Sequence, residues 1–322
     1  MPVPEHILKP KYRTLWDIPR EERFAPGHSM CQGCGAAIII RHLMKAVGKD
    51  AIIVQATGCV EVTTTVFPQT AWLNPWIHLA FENAGAAASG VEAALKALKK
   101  KGVLDPNRRI KVIALAGDGG TFDIGLQSLS GMLERGHDVM YVVYDNEAYM
   151  NTGIQRSSAT PFGAWTTTTP VGKRWRGEWR PKKDIVGIAL AHRIPYIATA
   201  NPAYPVDMIE KFRRGFEIEG PSLIHVLSPC TPGWRIPTEK SIEVAKLAVL
   251  TGVWVNLEIV DGVPRVTTKV PKRKHVRHYL KAQGRFRHLT DAEIEAIQRM
   301  VDEHVKYINK WVGEEAIGPV VE

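Results

Sequence analysis

The segment IKVIALAGDGGTFDIGLQSLSGMLERGHDVMYVVYDNEAYMN, residues 110–151, decides the fold. Ile110 to Ala116 is an unbroken apolar run, the pattern of a strand buried on both faces. Gly117-Asp118-Gly119-Gly120 follows it directly as an acidic turn. Gly125 to Glu134 reads as a helix, and Val139 to Tyr144 as the next apolar strand. Strand, turn, helix and strand in this order indicate a parallel sheet covered on both faces.

The pattern extends outward in both directions. Ala51 to Ala56 reads as a buried strand, and Tyr196 to Ala200 and Ser222 to Leu227 as short ones. Ala36 to Val47, Asn83 to Lys100, Ile185 to His192 and Val206 to Phe216 read as helices. The helix from Asn83 carries Gly85, Ala86, Ala87, Ala88, Ser89 and Gly90, small residues that suit close backbone packing. Beyond Thr231 the pattern changes. Ser241 to Leu250 suits a helix, and Val253 to Val266 a hairpin turned by Asp261-Gly262. A basic linker follows. Asp291 to Trp311 reads as a last helix, with Thr290 and Glu293 as a capping box. The fold class expected is α/β, a doubly wound and mostly parallel sheet with a C-terminal extension.

In such sheets ligands sit at the carboxyl ends of the strands, and the polar motifs fall there. Asn146 lies 28 positions after Asp118, just past the next strand. Asp118 and Asn146 therefore stand at neighbouring strand ends and offer hard oxygen ligands. With the backbone carbonyl of Ala148, they suit Mg²⁺ bridging a diphosphate. Gly119 and Gly120 let backbone N–H groups approach phosphate at a helix start. Gly-Asp-Gly alone is also a plain turn; its place at a strand end, with Asn146 at the next, makes it a binding motif. Tyr149 to Gly153 continue the loop, with side chains suited to a cofactor or substrate or to ordinary loop polarity.

The chain of 322 residues has four cysteines, Cys31, Cys34, Cys59 and Cys230, too few for a disulfide framework at this length. Two residues separate the first pair, 24 separate Cys34 from Cys59, and 170 separate Cys59 from Cys230. The Cys31-Gln-Gly-Cys34-Gly35 turn presents two thiolates to one centre, and its glycines let backbone N–H groups approach the sulfurs. Cys59 and Cys230 each follow an expected strand, so three elements can converge at one end of the sheet. Four thiolates suit an iron–sulfur cluster or zinc, although structural zinc more often shows two close pairs. Unrelated buried cysteines are the plain alternative.

The composition, 45% hydrophobic and 23% charged, is that of an ordinary globular protein. No stretch approaches the roughly 18 apolar residues of a membrane span. The first 23 residues hold charges and prolines but no secretory apolar core. A cytoplasmic location is expected, with no membrane partner. The net charge of +9 gathers late, at Lys269, Lys272, Arg273, Lys274, Arg277, Lys281, Arg285 and Arg287. It makes either a solvated basic face or a surface for an acidic electron carrier. Aromatic residues do not interleave with these bases in a nucleic-acid motif, so no nucleic-acid partner is expected.

The acidic turn with its distant Asn, together with the four cysteines, resembles the beta subunits of pyruvate:ferredoxin oxidoreductases. ATGCVEV, PWIHLAFENAGAAASGVEAA, GDGGTFDIGLQSLSGMLERGHDV, YDNEAYMNTGIQRSSATPFGAWTTT and SPCTPGWRIP look like that family, over about residues 25–265. The resemblance implies a thiamine diphosphate-binding fold. Residues 1–30 would form an N-terminal arm, 31–230 the cofactor domain and 231–322 the extension. Cys31, Cys34, Cys59 and Cys230 would hold a [4Fe–4S] cluster, and Asp118, Asn146 and the Ala148 carbonyl Mg²⁺. Thr57, Gly58, Cys59, Val60, Gly119, Gly120, Met150 and Asn151 would line thiamine diphosphate, with Asn151 in a catalytic place.

The resemblance also implies what lies elsewhere. The glutamate that activates thiamine would come from an alpha, pyrimidine-binding subunit, and further clusters from gamma and delta, ferredoxin-type subunits. Structural or cluster-side roles are then left for Glu61, Glu82 and Glu147. The substrates would be a 2-oxoacid and coenzyme A, the electron acceptor ferredoxin, and the chain alone inactive. Related readings are a branched-chain 2-oxoacid or indolepyruvate enzyme of the same superfamily. Unrelated ones are a zinc-stapled nucleotide-binding module and a non-redox thiamine decarboxylase half.

Overall fold

A computed structural model describes residues 2–321; Met1, in the expected arm, and Glu322, in the expected extension, lie outside the described residues. The arm holds a helical turn, α1 (Glu5–Leu8), and a 3₁₀ turn at Leu15–Asp17. Next come α2 (Gly35–Val47), β1 (Ala51–Ala56), α3 (Cys59–Thr64), β2 (Trp76–Leu79), α4 (Ala84–Lys100) and β3 (Lys111–Gly117). They are followed by α5 (Leu126–Glu134), β4 (Val139–Asp145), α6 (Ile185–Ala191), β5 (Tyr196–Ala200), α7 (Pro205–Glu217), β6 (Ser222–Leu227) and α8 (Thr231–Trp234). The last elements are α9 (Ser241–Leu250), β7 (Leu257–Val260), β8 (Val263–Val266), α10 (Arg277–Lys281) and α11 (Asp291–Val312).

Among the described residues the strands form one sheet in the order β2-β1-β3-β4-β6-β5-β7-β8. The first six are parallel, and β7 and β8 are antiparallel at the far edge. Alternate residues of each strand enter opposite cores, as a two-sided sheet requires. Val112, Ala114 and Ala116 of β3 face a core that takes in α4, α5, α6, α9 and α11. Ile113 and Leu115 face a second core under α2 and α7. The small residues of α4 serve the close packing expected of them. A Cβ on Gly85 would lie 2.6 Å from the Ser128 carbonyl of α5. The doubly wound, mostly parallel α/β class is as expected.

The hairpin begins at Leu257, later than expected, and joins the edge of the same sheet through β5. Its turn residues Asp261 and Gly262 both have positive φ, as a two-residue type I′ turn needs. The basic stretch departs from the expected linker and from an all-solvated face. It folds back as α10, and Arg273 and Arg285 are buried. Arg273 pairs with Asp302 at 2.7 Å and donates to the Gly318 carbonyl. Local sequence records the charge of these residues but not their depth, because their partners lie on other elements. Among the described residues no helix is long and apolar enough to cross a membrane.

Candidate active site

β1 has β2 on one side and β3 on the other, so the chain changes winding direction between them. The crevice outside such a switch point is where open α/β sheets bind ligands. A cleft lies there, walled by Thr57, Gly58 and Cys59 after β1, Gly117 to Gly120 after β3, and Asn146 with Ala148 to Thr152 after β4. These are the sequence-derived cofactor residues, with one exception. Val60 is fully buried in the core beneath α2 and lines no part of the cleft, because the first turn of α3 points it inward.

Asp118 is 1% exposed and accepts a hydrogen bond from Ser157 Oγ at 2.5 Å. The terminal atom of the Asn146 amide on this side lies 3.0 Å from Asp118 Oδ1 and 2.8 Å from the Ala148 carbonyl oxygen. With nitrogen there, the amide donates to both. With oxygen there, it is close to two further oxygens. An octahedral cation with ligands at about 2.1 Å sets adjacent oxygens about 3.0 Å apart, so both distances are of the size that neighbouring Mg²⁺ ligands have. Burial, then the charge of Asp145, pushes the Asp118 carboxyl well above the usual carboxylate range. A bound cation would offset both effects.

Gly119 of the acidic turn is required by packing. The Tyr149 ring lies against it, where a Cβ would come within 2.4 Å of the ring. Tyr149 Oη donates to Asp123 Oδ2 at 3.1 Å and to the Gly119 carbonyl at 3.2 Å. Gly119 to Asp123 form a π-turn, a local widening common at functional sites. Tyr149, from the loop read as a possible cofactor or substrate contact, lines the cleft together with Phe81 and Tyr144, which were not singled out in the sequence. Nothing in the local pattern marks these two, since they meet only after the strands align. The Tyr144 hydroxyl is buried and has no partner among the described residues.

The four cysteines share a second cavity with Met150, Asn151 and Pro229 in its wall. The Cys31–Cys34 turn is fastened to the loop after β6. Gly35 N donates to the Pro229 carbonyl at 2.9 Å, and Thr231 Oγ1 to the Gln32 carbonyl at 2.8 Å. This contact explains both glycines of the motif. A Cβ on Gly33 would lie 2.2 Å from the Thr238 carbonyl, and one on Gly35 2.6 Å from Pro229. Three of the thiols stand at helix starts. Cys34 caps α2, Cys59 opens α3, and Cys230 caps α8 and accepts from Gly233 N at 3.4 Å. Without a metal, burial pushes the Cys59 and Cys230 thiols up to about 12. Among the described residues no three of His, Cys, Asp and Glu are grouped to hold a single metal ion. The two cavities adjoin: Cys59, Asn146, Met150 and Asn151 line both.

Of the three acids near the motifs, two face partners outside the cleft. Glu61 faces His78 at 3.6 Å. Glu147 is buried between Lys182, at 2.9 Å, and Arg285, at 2.5 Å.

Fold and cleft define the class, an α/β domain of the thiamine pyrophosphate enzymes. Residues 56–226 match the family described as thiamine pyrophosphate enzyme, C-terminal TPP binding domain. Among curated relatives, pyruvate synthase subunit PorB of Methanocaldococcus jannaschii is 60% identical over 294 residues, covering 91% of this chain and 99% of that protein. Ketoisovalerate oxidoreductase subunit VorB of Pyrococcus furiosus is 49% identical, covering 96% of this chain and 98% of that one. A solved 2-oxoglutarate:ferredoxin oxidoreductase from Magnetococcus marinus shares the fold, with a TM-score of 0.52 and 23% identity, over 74% of this chain and 82% of that one. The chain belongs to the beta (B) subunits of the 2-oxoacid:ferredoxin oxidoreductases.

Proposed function

We propose that the chain is the cofactor-binding beta subunit of a pyruvate:ferredoxin oxidoreductase. That enzyme converts pyruvate and coenzyme A to acetyl-CoA and CO₂ while reducing ferredoxin. The observation that carries the reading is the shared wall of the two cavities. Cys59, Asn146, Met150 and Asn151 stand between an oxygen-lined cleft and a thiol-lined one. A site of organic chemistry and a first electron acceptor would thus be neighbours.

Thiamine diphosphate, when bound, would supply the electron sink for decarboxylation, and a [4Fe–4S] cluster held by Cys31, Cys34, Cys59 and Cys230 would supply an electron acceptor beside it. The chain's residues account for their retention. Asp118, Asn146 and the Ala148 carbonyl would hold Mg²⁺ against the diphosphate, with Ser157 fixing the Asp118 carboxylate. Thr57, Gly58, Gly119 and Gly120 would form the cofactor's walls. Met150 would separate cofactor from cluster, and Asn151, exposed at the junction, would offer amide donors to the substrate carboxylate.

The cysteine geometry favours a cluster over zinc. Zinc at about 2.3 Å from each sulfur draws four sulfurs to about 3.8 Å of one another. These thiols line a shared cavity and, among the described residues, form no grouping suited to a single metal ion. Glu61 faces His78 and Glu147 is held by Lys182 and Arg285; the activating carboxylate is assigned to an alpha subunit, and ferredoxin-type gamma and delta subunits would carry the electrons onward. Identity favours pyruvate, at 60% against 49%. The VorB relatives support 2-oxoisovalerate as the second reading.

The test uses the complete complex with coenzyme A and pyruvate, 2-oxoisovalerate or 2-oxoglutarate, following ferredoxin reduction. The highest kcat/KM is expected for pyruvate. Preference for 2-oxoisovalerate would select the second reading, and no reduction with any 2-oxoacid would overturn both.

A further inference from the structure

Glu147 stands between two of the oxygen-bearing residues of the cleft in a backbone conformation that L-residues avoid. Its φ is +70°, a strained conformation for a non-glycine residue that persists only where the surroundings hold it. This turn lets the Asn146 amide and the Ala148 carbonyl approach each other and Asp118. Glycine would adopt it without strain, yet the sequence places a buried carboxylate there.

The surroundings hold the turn on every side. Glu147 N donates to Asp145 Oδ1 at 3.0 Å, and Thr160 Oγ1 donates to the Glu147 carbonyl at 2.8 Å. Trp234 Nε1 donates to the Asn146 carbonyl at 2.8 Å. Lys182 bridges the carboxylates of Asp145, at 2.6 Å, and Glu147, at 2.9 Å. Arg285 binds the other Glu147 oxygen at 2.5 Å and lies over the Trp234 ring, 4.1 Å from its centroid. His225 closes the network on Asp145 at 2.7 Å. Arg285 is 2% exposed and comes from the C-terminal region, 138 positions after Glu147. Glu147 is the one carboxylate paired with it among the described residues.

We infer that Glu147 and Arg285 are positioning residues for the metal-binding turn: their buried ion pair holds the Asn146–Ala148 backbone in register with Asp118. The C-terminal region is thereby part of the cofactor site, although it supplies no ligand. The inference rests on the thiamine diphosphate reading, in which that turn carries a divalent cation.

The probe is Mn²⁺ with thiamine diphosphate, its binding to the complete complex read by electron paramagnetic resonance. Glu147→Gln and Arg285→Met are each expected to weaken Mn²⁺ uptake at least tenfold. Glu147→Gly separates backbone from charge: it fits the turn, lacks the carboxylate, and is expected to weaken binding as Gln does. The double variant Glu147→Gln with Arg285→Met leaves no lone buried charge. It is expected to fold with a melting temperature near the wild type, to lose less than the two single losses combined, and still to bind at least tenfold more weakly. It keeps the comparison open if a single variant does not fold. Wild-type affinity in Glu147→Gly or in the double variant would overturn the clamp alone. A wild-type complex that takes up no Mn²⁺ with thiamine diphosphate would overturn the cofactor reading beneath it.

Discussion

At Asp118 one carboxylate decides whether the cleft can hold a cation. Asp118→Ala is expected to lower thiamine diphosphate affinity by at least about 100-fold, as loss of a direct ligand should exceed the 10–100-fold of an outer-shell loss. The visible spectrum of the cluster should persist, because none of the four cysteines hydrogen-bonds to this residue. Calorimetry with thiamine diphosphate and Mg²⁺ reads the first effect; unchanged affinity would refute the metal assignment. Gly35→Ala should act in reverse. Its Cβ would meet Pro229 at 2.6 Å, an overpacking expected to cost about 1–3 kcal/mol and to release iron while thiamine diphosphate still binds. Asp118, Asn146, Cys59 and Cys230 stood out because each lies just past an apolar strand, and Cys31 and Cys34 because of their close spacing. The packing reasons for Gly33, Gly35 and Gly119 were not, since the opposing atoms come from distant loops. Arg285 was read with the basic patch for the same reason. Its charge is written in the sequence, whereas its partner Glu147 and its burial exist only after folding.

Among the elements, the apolar strands and amphipathic helices were readable from periodicity, down to the capping box of α11. Glu293 N donates to Thr290 Oγ1, and Glu293 Oε2 accepts from Thr290 N at 2.7 Å. The Arg176 guanidinium beside Glu293 holds its carboxyl down at about 2, against an ordinary value of 4.5. A depressed folded-state value stabilises the fold fully above 4.5, and that contribution fades as pH falls from 4.5 towards 2. Glu293→Ala is therefore expected to cost about 1 kcal/mol near neutral pH. The gap in melting temperature should narrow below pH 4.5; a gap independent of pH would contradict the pairing. The elements missed were those without a period. β2 is a four-residue edge strand, α3 is a six-residue helix opened by a cysteine, and the π-turn has no pattern of its own. The last two border the cleft, where ligand geometry rather than local propensity sets the backbone.

For the whole molecule, one eight-stranded sheet carries both cavities at the carboxyl ends of its parallel strands, and the β7–β8 hairpin of the C-terminal region extends the sheet at its far edge. The order of strands and the return of Arg285 to the cleft could not be read from sequence, because both depend on contacts made across the whole chain. Incompleteness is what the sequence led us to expect, since no acid of this chain was assigned to activate thiamine. The isolated chain should therefore bind cofactors yet reduce no ferredoxin with pyruvate and coenzyme A, and adding the other subunits should restore turnover. Turnover by the chain alone would place the activating acid within it. The central claim, that an iron–sulfur cluster and thiamine diphosphate share one wall of this subunit, is tested most directly by cofactor analysis of anaerobically purified protein. About four irons and one thiamine diphosphate per chain, with visible absorbance that bleaches on dithionite, is the expected result. Zinc without iron would contradict it.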